Sequence, residues 1–249
     1  SSTVNTLSDA LIEDNSLYMG NDPSSTTDAA EYNVALGTTA LDAITTGDYN
    51  IAVGYGALTG NTTGEANLGL GYNALTANTT GGGNFAIGYG ALDESDTENA
   101  NLAIGPNALG GPIDGGEYNV AIGSSSLGAN TSGGYNVAIG WGSMDDNTTG
   151  AANISIGHLT LSANTTGTYN NAIGYGALNS NTTGSSNTGN GAYILKNNTT
   201  GAHNTGSGAY ALFRNTTGDQ NTAVGRSALM DNTTGSNNTA VGMNALERN

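Results

Sequence analysis

The sequence predicts an all-β fold: a parallel β-solenoid, or β-roll, of about 14 coils on a 17-residue repeat. Three observations predict it. A triplet Asn-x-small recurs at Asn33, Asn50, Asn67, Asn84, Asn101, Asn119, Asn136, Asn153, Asn170, Asn187, Asn204, Asn221 and Asn238, always 17 apart except for 18 between Asn101 and Asn119. The unit is too short for a helix pair, which needs about 34 residues, and it fixes glycine at two positions, where a helix loses stability. Finally, each unit opens with a short alternating run such as Asn119-Val-Ala-Ile-Gly123 and closes with a turn such as Asn147-Thr-Thr-Gly150, the signature of strand followed by turn. One unit per coil follows. With coils about 4.8 Å apart, 14 of them predict a rod roughly 65 Å long.

The elements run in order. Residues 1–15 are a lead-in or N-terminal cap, and residues 16–249 are the repeat domain. A degraded copy spans Ser16 to Tyr32, because Gly20 stands 17 before Gly37. The consensus is N-x-A-[IV]-G-x-x-A-L-x-x-N-T-T-G-x-x, counted from position 1 at the Asn. Position 9 is Leu in twelve of the thirteen Asn-led units and Met144 in the other; position 4 is Ile, Val or Leu in eleven. These two columns are the expected apolar core, with small residues at positions 3 and 8 letting the walls approach. The Asn column (Asn50, Asn67, Asn84, Asn101, Asn119, Asn136, Asn153, Asn170) is expected to stack as an amide ladder. The core thins at Asn190 and Ser207 (position 4) and at Gly189 and Gly206 (position 3), where Tyr193, Ile194 and Tyr210 stand near enough to repack.

Composition narrows the function. Net charge is −16, with 20 acidic residues against four Lys and Arg, which excludes a polyphosphate-binding surface. No apolar run approaches the roughly 20 residues of a membrane span. The absence of cysteine removes disulfides, zinc thiolates and cysteine nucleophiles. His158 and His203 fall in different columns of distant units, with no carboxylate near either in sequence, and no catalytic set emerges. The reading is non-enzymatic.

Position 6 carries an aromatic stripe: Tyr55, Tyr72 and Tyr89, then Trp141, His158 and Tyr175. In a solenoid these rings stack in line, forming either an interchain contact or a platform for glycan rings. A second stripe precedes the Asn: Tyr32, Tyr49, Tyr118, Tyr135 and Tyr169. Asp93, Glu94, Asp96 and Glu98 crowd one turn that lacks its usual glycine. They are read as a solvated acidic loop, or else as a weak calcium site, since calcium takes oxygen ligands; otherwise no cofactor is expected. Nine turns begin with a glycosylation-type Asn-Thr-Thr/Ser triplet, for example Asn61-Thr62-Thr63, read here as turn chemistry with stacked threonines. Adjacent threonines face opposite ways in a regular strand, so a flat ice-binding face is not expected. Residues 1–150 hold 17 acidic residues and no Lys or Arg, whereas residues 151–249 carry three acidic against four basic. That asymmetry suits head-to-tail stacking. The last unit stops without a recognisable cap, so its edge calls for further chain or a partner subunit.

The run Asn-Val-Ala-Ile-Gly followed by x-x-Ala/Ser resembles the head repeats of trimeric autotransporter adhesins, which are trimeric left-handed β-rolls. With Asn-Thr-Thr-Gly in a longer turn, and with Leu7-Ser8-Asp9-Ala10-Leu11 leading into Ser16-Leu17-Tyr18-Met19-Gly20, the chain is also similar to the repeats of marine phage tail fibres. The likeness covers residues 7–249; the period is longer than that of the adhesin heads. It implies a trimer, an extracellular or virion-surface location, and a structural or adhesive role. That role is a rigid shaft or receptor-facing segment of a phage tail fibre, with a bacterial surface adhesin or self-assembling filament subunit as the alternative. Expected partners are copies of the chain and a cell-surface glycan or receptor.

Overall fold

The computed structural model describes residues 10–13, 15–20 and 29–248. Residues 1–9 of the lead-in and 21–28 of the degraded copy lie outside the described residues. The architecture is the expected parallel β-solenoid, with no helix among the described residues. Two compact units divide the chain, residues 1–118 and 119–249.

In the first unit β1 (Ala10–Glu13) folds back antiparallel on β2 (Ser16–Met19), with Glu13 facing Ser16. From β2 onward the pairing is parallel and in exact repeat register: β3 (Val34–Leu36), β4 (Ile51–Val53), β5 (Leu68–Leu70), β6 (Phe85–Ile87) and β7 (Leu102–Ile104). The second unit repeats the arrangement with β8 (Val120–Ile122), β9 (Val137–Ile139), β10 (Ile154–Ile156), β11 (Asn171–Ile173), β12 (Thr188–Asn190), β13 (Thr205–Ser207), β14 (Thr222–Val224) and β15 (Thr239–Val241). Strands β3 to β15 are only three residues long, yet the turns are cross-linked as well. Leu58 N–H donates to Ala74 O at 3.0 Å, Thr62 N–H to Thr79 O at 2.9 Å and Ala66 N–H to Asp48 O at 2.9 Å. Backbone groups on every side of the coil therefore pair with a neighbouring coil, as buried polar backbone requires.

The coil closes in 17 residues because three positions bend left-handedly. Position 7, the Leu at position 9 and the residue before each Asn all take positive φ, as in Asn73 (54°), Leu75 (55°) and Tyr49 (60°). A leucine in that region costs roughly 1–2 kcal/mol, but full burial of its side chain returns about 1.5–3 kcal/mol, so burial wins at each coil. The glycine at position 5 has a different reason. Gly174 has φ +131°, and an added Cβ would stand 2.6 Å from the Gly191 carbonyl of the next coil. No larger residue fits that column.

The core differs from the expectation in one column. Leu58, Leu75, Leu92, Leu127, Leu161 and Leu178 are fully buried, as are Ala52, Ala86, Ala121 and Ala172 at position 3 and Ala57, Ala91 and Ala177 at position 8. Position 4 is not core. Leu36, Leu70 and Val224 are 48, 42 and 40% exposed. In a three-residue strand only the middle side chain can face inward, and the space between strand and Leu column admits only a small one. The branched residues at positions 2 and 4 both point outward.

Where the repeat breaks its rule, the packing is complementary. Ile194 replaces the usual small residue at position 8 and is fully buried. It fills the space left by Gly189 and Gly206: a Cβ on either would come within 2.8 and 2.6 Å of Ile194 Cγ2 and Cδ1. Of the residues expected to repack these coils, Ile194 does so, whereas Tyr193 and Tyr210 are half-buried at the surface.

Candidate functional site

The expected Asn ladder forms in both units. In residues 1–118, the N–H of Asn50, Asn67, Asn84 and Asn101 donates to the side-chain oxygen of the Asn one coil earlier, at 2.8–3.0 Å. Their Nδ2 groups donate to the carbonyls of Gly64, Gly81, Glu98 and Gly116. In residues 119–249, Asn136, Asn153 and Asn170 repeat the backbone-to-Oδ1 bond, and Asn119 Nδ2 donates to Gly133 O at 2.9 Å. From Asn153 onward the amide also reaches the preceding Oδ1, at 3.2 Å for Asn153 and 3.1 Å for Asn170. All eight are buried. The column is architectural.

A second ladder sits at position 12. Asn164 Nδ2 donates to Asn147 Oδ1 at 2.8 Å and to Gly167 O at 3.1 Å, and Asn181 Nδ2 donates to Asn164 Oδ1 at 2.9 Å. These are the asparagines of the glycosylation-type triplets. Asn61, Asn78, Asn130, Asn147, Asn164, Asn181, Asn198 and Asn215 are all fully buried, so a glycan on their amide nitrogen is incompatible with the folded coil. The signal in the sequence was the recurrence of Asn at this column in nine units; a turn composition masked it. The threonine at position 13 is likewise engaged, Thr165 Oγ1 donating to Thr182 O at 3.1 Å. The position-14 threonines, such as Thr149 and Thr166, stand exposed.

The aromatic stripe faces out. Tyr55, Tyr72 and Tyr89 stack at centroid spacings of 5.2 and 5.3 Å, with planes 13° and 7° apart. In the second unit Trp141, His158 and Tyr175 stack at 4.9 and 5.1 Å. All six are exposed. Tyr32 and Tyr49 stack at 5.1 Å in the other column, where Tyr118, Tyr135 and Tyr169 are also exposed. Between the two columns lie the outward residues of positions 2 and 4, including Ile51, Phe85, Ile154 and Ile173. Sequence reasoning, having placed position 4 inside, missed this apolar face; the alternation of the strand was the signal available.

Beyond Tyr175 the stripe moves by one position. Tyr193 and Tyr210 come from position 7 and stack with each other at 5.5 Å, while Tyr193 meets Tyr175 edge-on at 71°. Desolvation raises the Tyr193 hydroxyl pKa, aided by its hydrogen bond to Tyr175 and by the Tyr175 and Tyr210 phenols. Lys196 Nζ lies 5.2 Å from the Tyr193 ring centroid and 5.8 Å from that of Phe213. Two hollows of about 160 and 210 Å³ share Tyr193 and Lys196.

The acidic turn at 93–98 folds inward on one carboxylate. Glu98 is buried, and its Oε2 accepts from Ser95 Oγ at 2.9 Å, Asp96 N–H at 3.1 Å and Thr97 N–H at 3.2 Å, while Oε1 accepts from Gly115 N–H at 3.0 Å. With Ser95 in place of the position-12 Asn, the amide ladder stops: Asn78 Oδ1 is buried without a donor, and the Glu98 carboxylate, which only accepts, gathers donors from its own turn and from Gly115 instead. Burial alone would raise its pKa, but these hydrogen bonds hold it below the usual range. Asp93 is pushed up by burial and by Glu94. Among the described residues no three His, Asp or Glu side chains converge as metal ligands, so Asp93, Glu94, Asp96 and Glu98 are neighbours in sequence without being a cluster in space. His158 lies in the aromatic stack and His203 is exposed at the corner before Asn204.

Comparison with family models, with characterised proteins and with solved structures finds no match to this chain.

Proposed function

We propose that this chain is a structural and adhesive fibre segment, a rigid β-solenoid shaft or receptor-facing part of a phage tail fibre, working as a homo-oligomer outside the cell or on a virion. One observation carries the reading: the outward side of the sheet is apolar over β3 to β7 in the first unit and β8 to β10 in the second, with stacked position-6 rings beside it in each. Monomeric soluble proteins rarely expose such contiguous apolar patches, which mark association or ligand surfaces. The interior supports rigidity, because within each unit the coils are tied to one another by buried amides and apolar columns, and repeat arrays are stabilised by such nearest-neighbour terms. The apolar face suits contact between copies, expected as a trimer; the ring columns suit glycan contact. Catalysis is no part of the reading.

Light scattering with negative-stain imaging of the purified chain tests it. Discrete rods of three chains are expected. Replacing Ile122 and Ile139 together by Lys on the outward face should release monomers without loss of β-sheet signal. A wild-type chain that stays monomeric at micromolar concentration overturns the oligomer. Long polymers favour instead the filament subunit, a reading supported by the uneven distribution of charge between residues 1–150 and 151–249.

A further inference from the structure

We propose that the outer surface around Tyr175, Tyr193, Lys196, Tyr210 and Phe213 is a binding site for an acidic sugar, a carboxylate-bearing ring stacked on tyrosine and ion-paired to Lys196. This rests on the adhesive reading and names the ligand class and the place.

The site lies where the repeat departs from its consensus. Position 7 holds Gly, Asn or Ser in most coils, but Tyr in the coils of Asn187 and Asn204. The Tyr193 ring reaches over Gly176, where an added Cβ would meet Tyr193 Cδ1 at 3.1 Å. The smallness of that glycine lets the ring lie down on the coil. The result is a right-angled corner: Tyr175 and Tyr193 are 5.1 Å apart and 71° from coplanar. A uniform stack presents only ring edges to solvent, whereas a corner opens a face. The hollow beside it, about 160 Å³, adjoins the second, about 210 Å³, through the shared Tyr193 and Lys196. Joined, they reach the lower end of the roughly 300–1,000 Å³ range of small-ligand sites.

The chemistry of the lining selects the ligand. Flat tyrosine faces suit the C–H face of a pyranose. Asn179 spends its Nδ2 on Leu159 O at 3.0 Å and Ser162 Oγ at 2.8 Å, which leaves its Oδ1 to accept from a sugar hydroxyl. Lys196 is held by two ring faces, and among the described residues no carboxylate pairs with it; the one ion pair found is Arg214 with Asp231, at 3.3 Å. A cation placed over π faces keeps N–H groups free for an anion. Tyr210 also borders a further hollow that holds Arg226. On a chain of charge −16, these are rare basic positions, too few for a polyphosphate but sufficient for a single carboxylate.

Titration calorimetry with the full chain tests the site, using trigalacturonate, its fully methyl-esterified form, and sialyllactose beside lactose. At least one acid is expected to bind at least tenfold tighter than its neutral counterpart, and which one does identifies uronate or sialate. Lys196→Met should abolish that preference while leaving neutral-sugar affinity unchanged. Tyr193→Ala should lose at least tenfold for both forms, and Phe213→Ala serves in its place if that variant unfolds. Thr63→Ala, at an exposed turn of the other unit and outside both ring columns, should change nothing. No binding by either acid, equal affinity for acid and neutral forms, or a preference that survives in Lys196→Met overturns the proposal. Cell binding separates the two readings. Cells still bound by Lys196→Met, with both acids inert, leave adhesion standing and this site refuted; acid binding without attachment to any cell does the reverse.

Discussion

The exchange of bulk between Ile194 and its two facing glycines makes a demanding test of how the coils pack. Ile194→Ala removes three carbons from a fully buried site and should cost about 2–4 kcal/mol. Gly206→Ala alone places a methyl 2.6 Å from Ile194 Cδ1, and Gly189→Ala places one 2.8 Å from Ile194 Cγ2. Overpacking of that kind costs about 1–3 kcal/mol each. Simple addition therefore forecasts a loss of about 4–10 kcal/mol for the triple variant. The structure forecasts the opposite. The triple variant restores the consensus of the other coils, with Ala at positions 3 and 8. Neither glycine has positive φ, so each alanine also reduces the freedom of the unfolded chain, by about 0.4–1 kcal/mol. The remaining approach, 3.1 Å from residue 189 to Leu178 Cδ1, needs a shift of a few tenths of an ångström. The triple variant should fall within about 1 kcal/mol of the parent, a coupling of at least ~3 kcal/mol between touching sites. Long repeat arrays depart from two-state unfolding, so urea midpoints should be read together with hydrogen exchange at Thr205, whose N–H bonds Asn221 O at 2.8 Å. A triple variant less stable than Ile194→Ala alone would refute the reasoning.

Asn164→Ala strips the second ladder of one rung, orphaning Asn147 Oδ1 and leaving Asn181 Nδ2 only its bond to Gly184 O; with a buried acceptor left unpaired, a loss of about 1–3 kcal/mol is expected in a urea titration. The exposed Tyr169→Ala should stay within about 0.5 kcal/mol in the same titration. Glu98 has a lowered pKa in the fold, so it contributes stability above its unfolded pKa that is lost as pH falls through the folded value. Glu98→Gln should therefore be less stable at pH 7 and show a shallower acid-induced decline in melting temperature; an unchanged pH profile would count against the inward carboxylate. Because Glu98 oxygens are committed to protein donors, millimolar calcium should leave the melting temperature of the parent unmoved. A calcium-dependent rise abolished by Asp96→Asn would establish the cation site instead.

Much of the fold was legible because a strict period leaves little freedom. An Asn every 17 residues fixes coil length and register, and identical residues in register stack whatever the handedness of the coil. The single 18-residue spacing falls at the end of the first compact unit, before Asn119. The Leu column, the Ala columns, the first Asn ladder and the outward rings followed from that period. Side-chain direction did not. Whether Ile139 faces in or out depends on how a three-residue strand enters the glycine bend at Gly140, and composition treats an exposed Ile and a buried one alike. The buried Asn at position 12 was hidden for the same reason: Asn-Thr-Thr-Gly is a good turn whether its amide points to water or to the next coil. The Glu98 carboxylate bonds three donors within its own turn and Gly115 N–H 17 residues on, and the ring corner joins Tyr175 to Tyr193 in the next coil; both depend on how adjacent coils meet. The sequence by itself determined the repeat and hence the solenoid. Only the tertiary structure decided which face is core and which is surface, because that choice is made by the space left between adjacent coils.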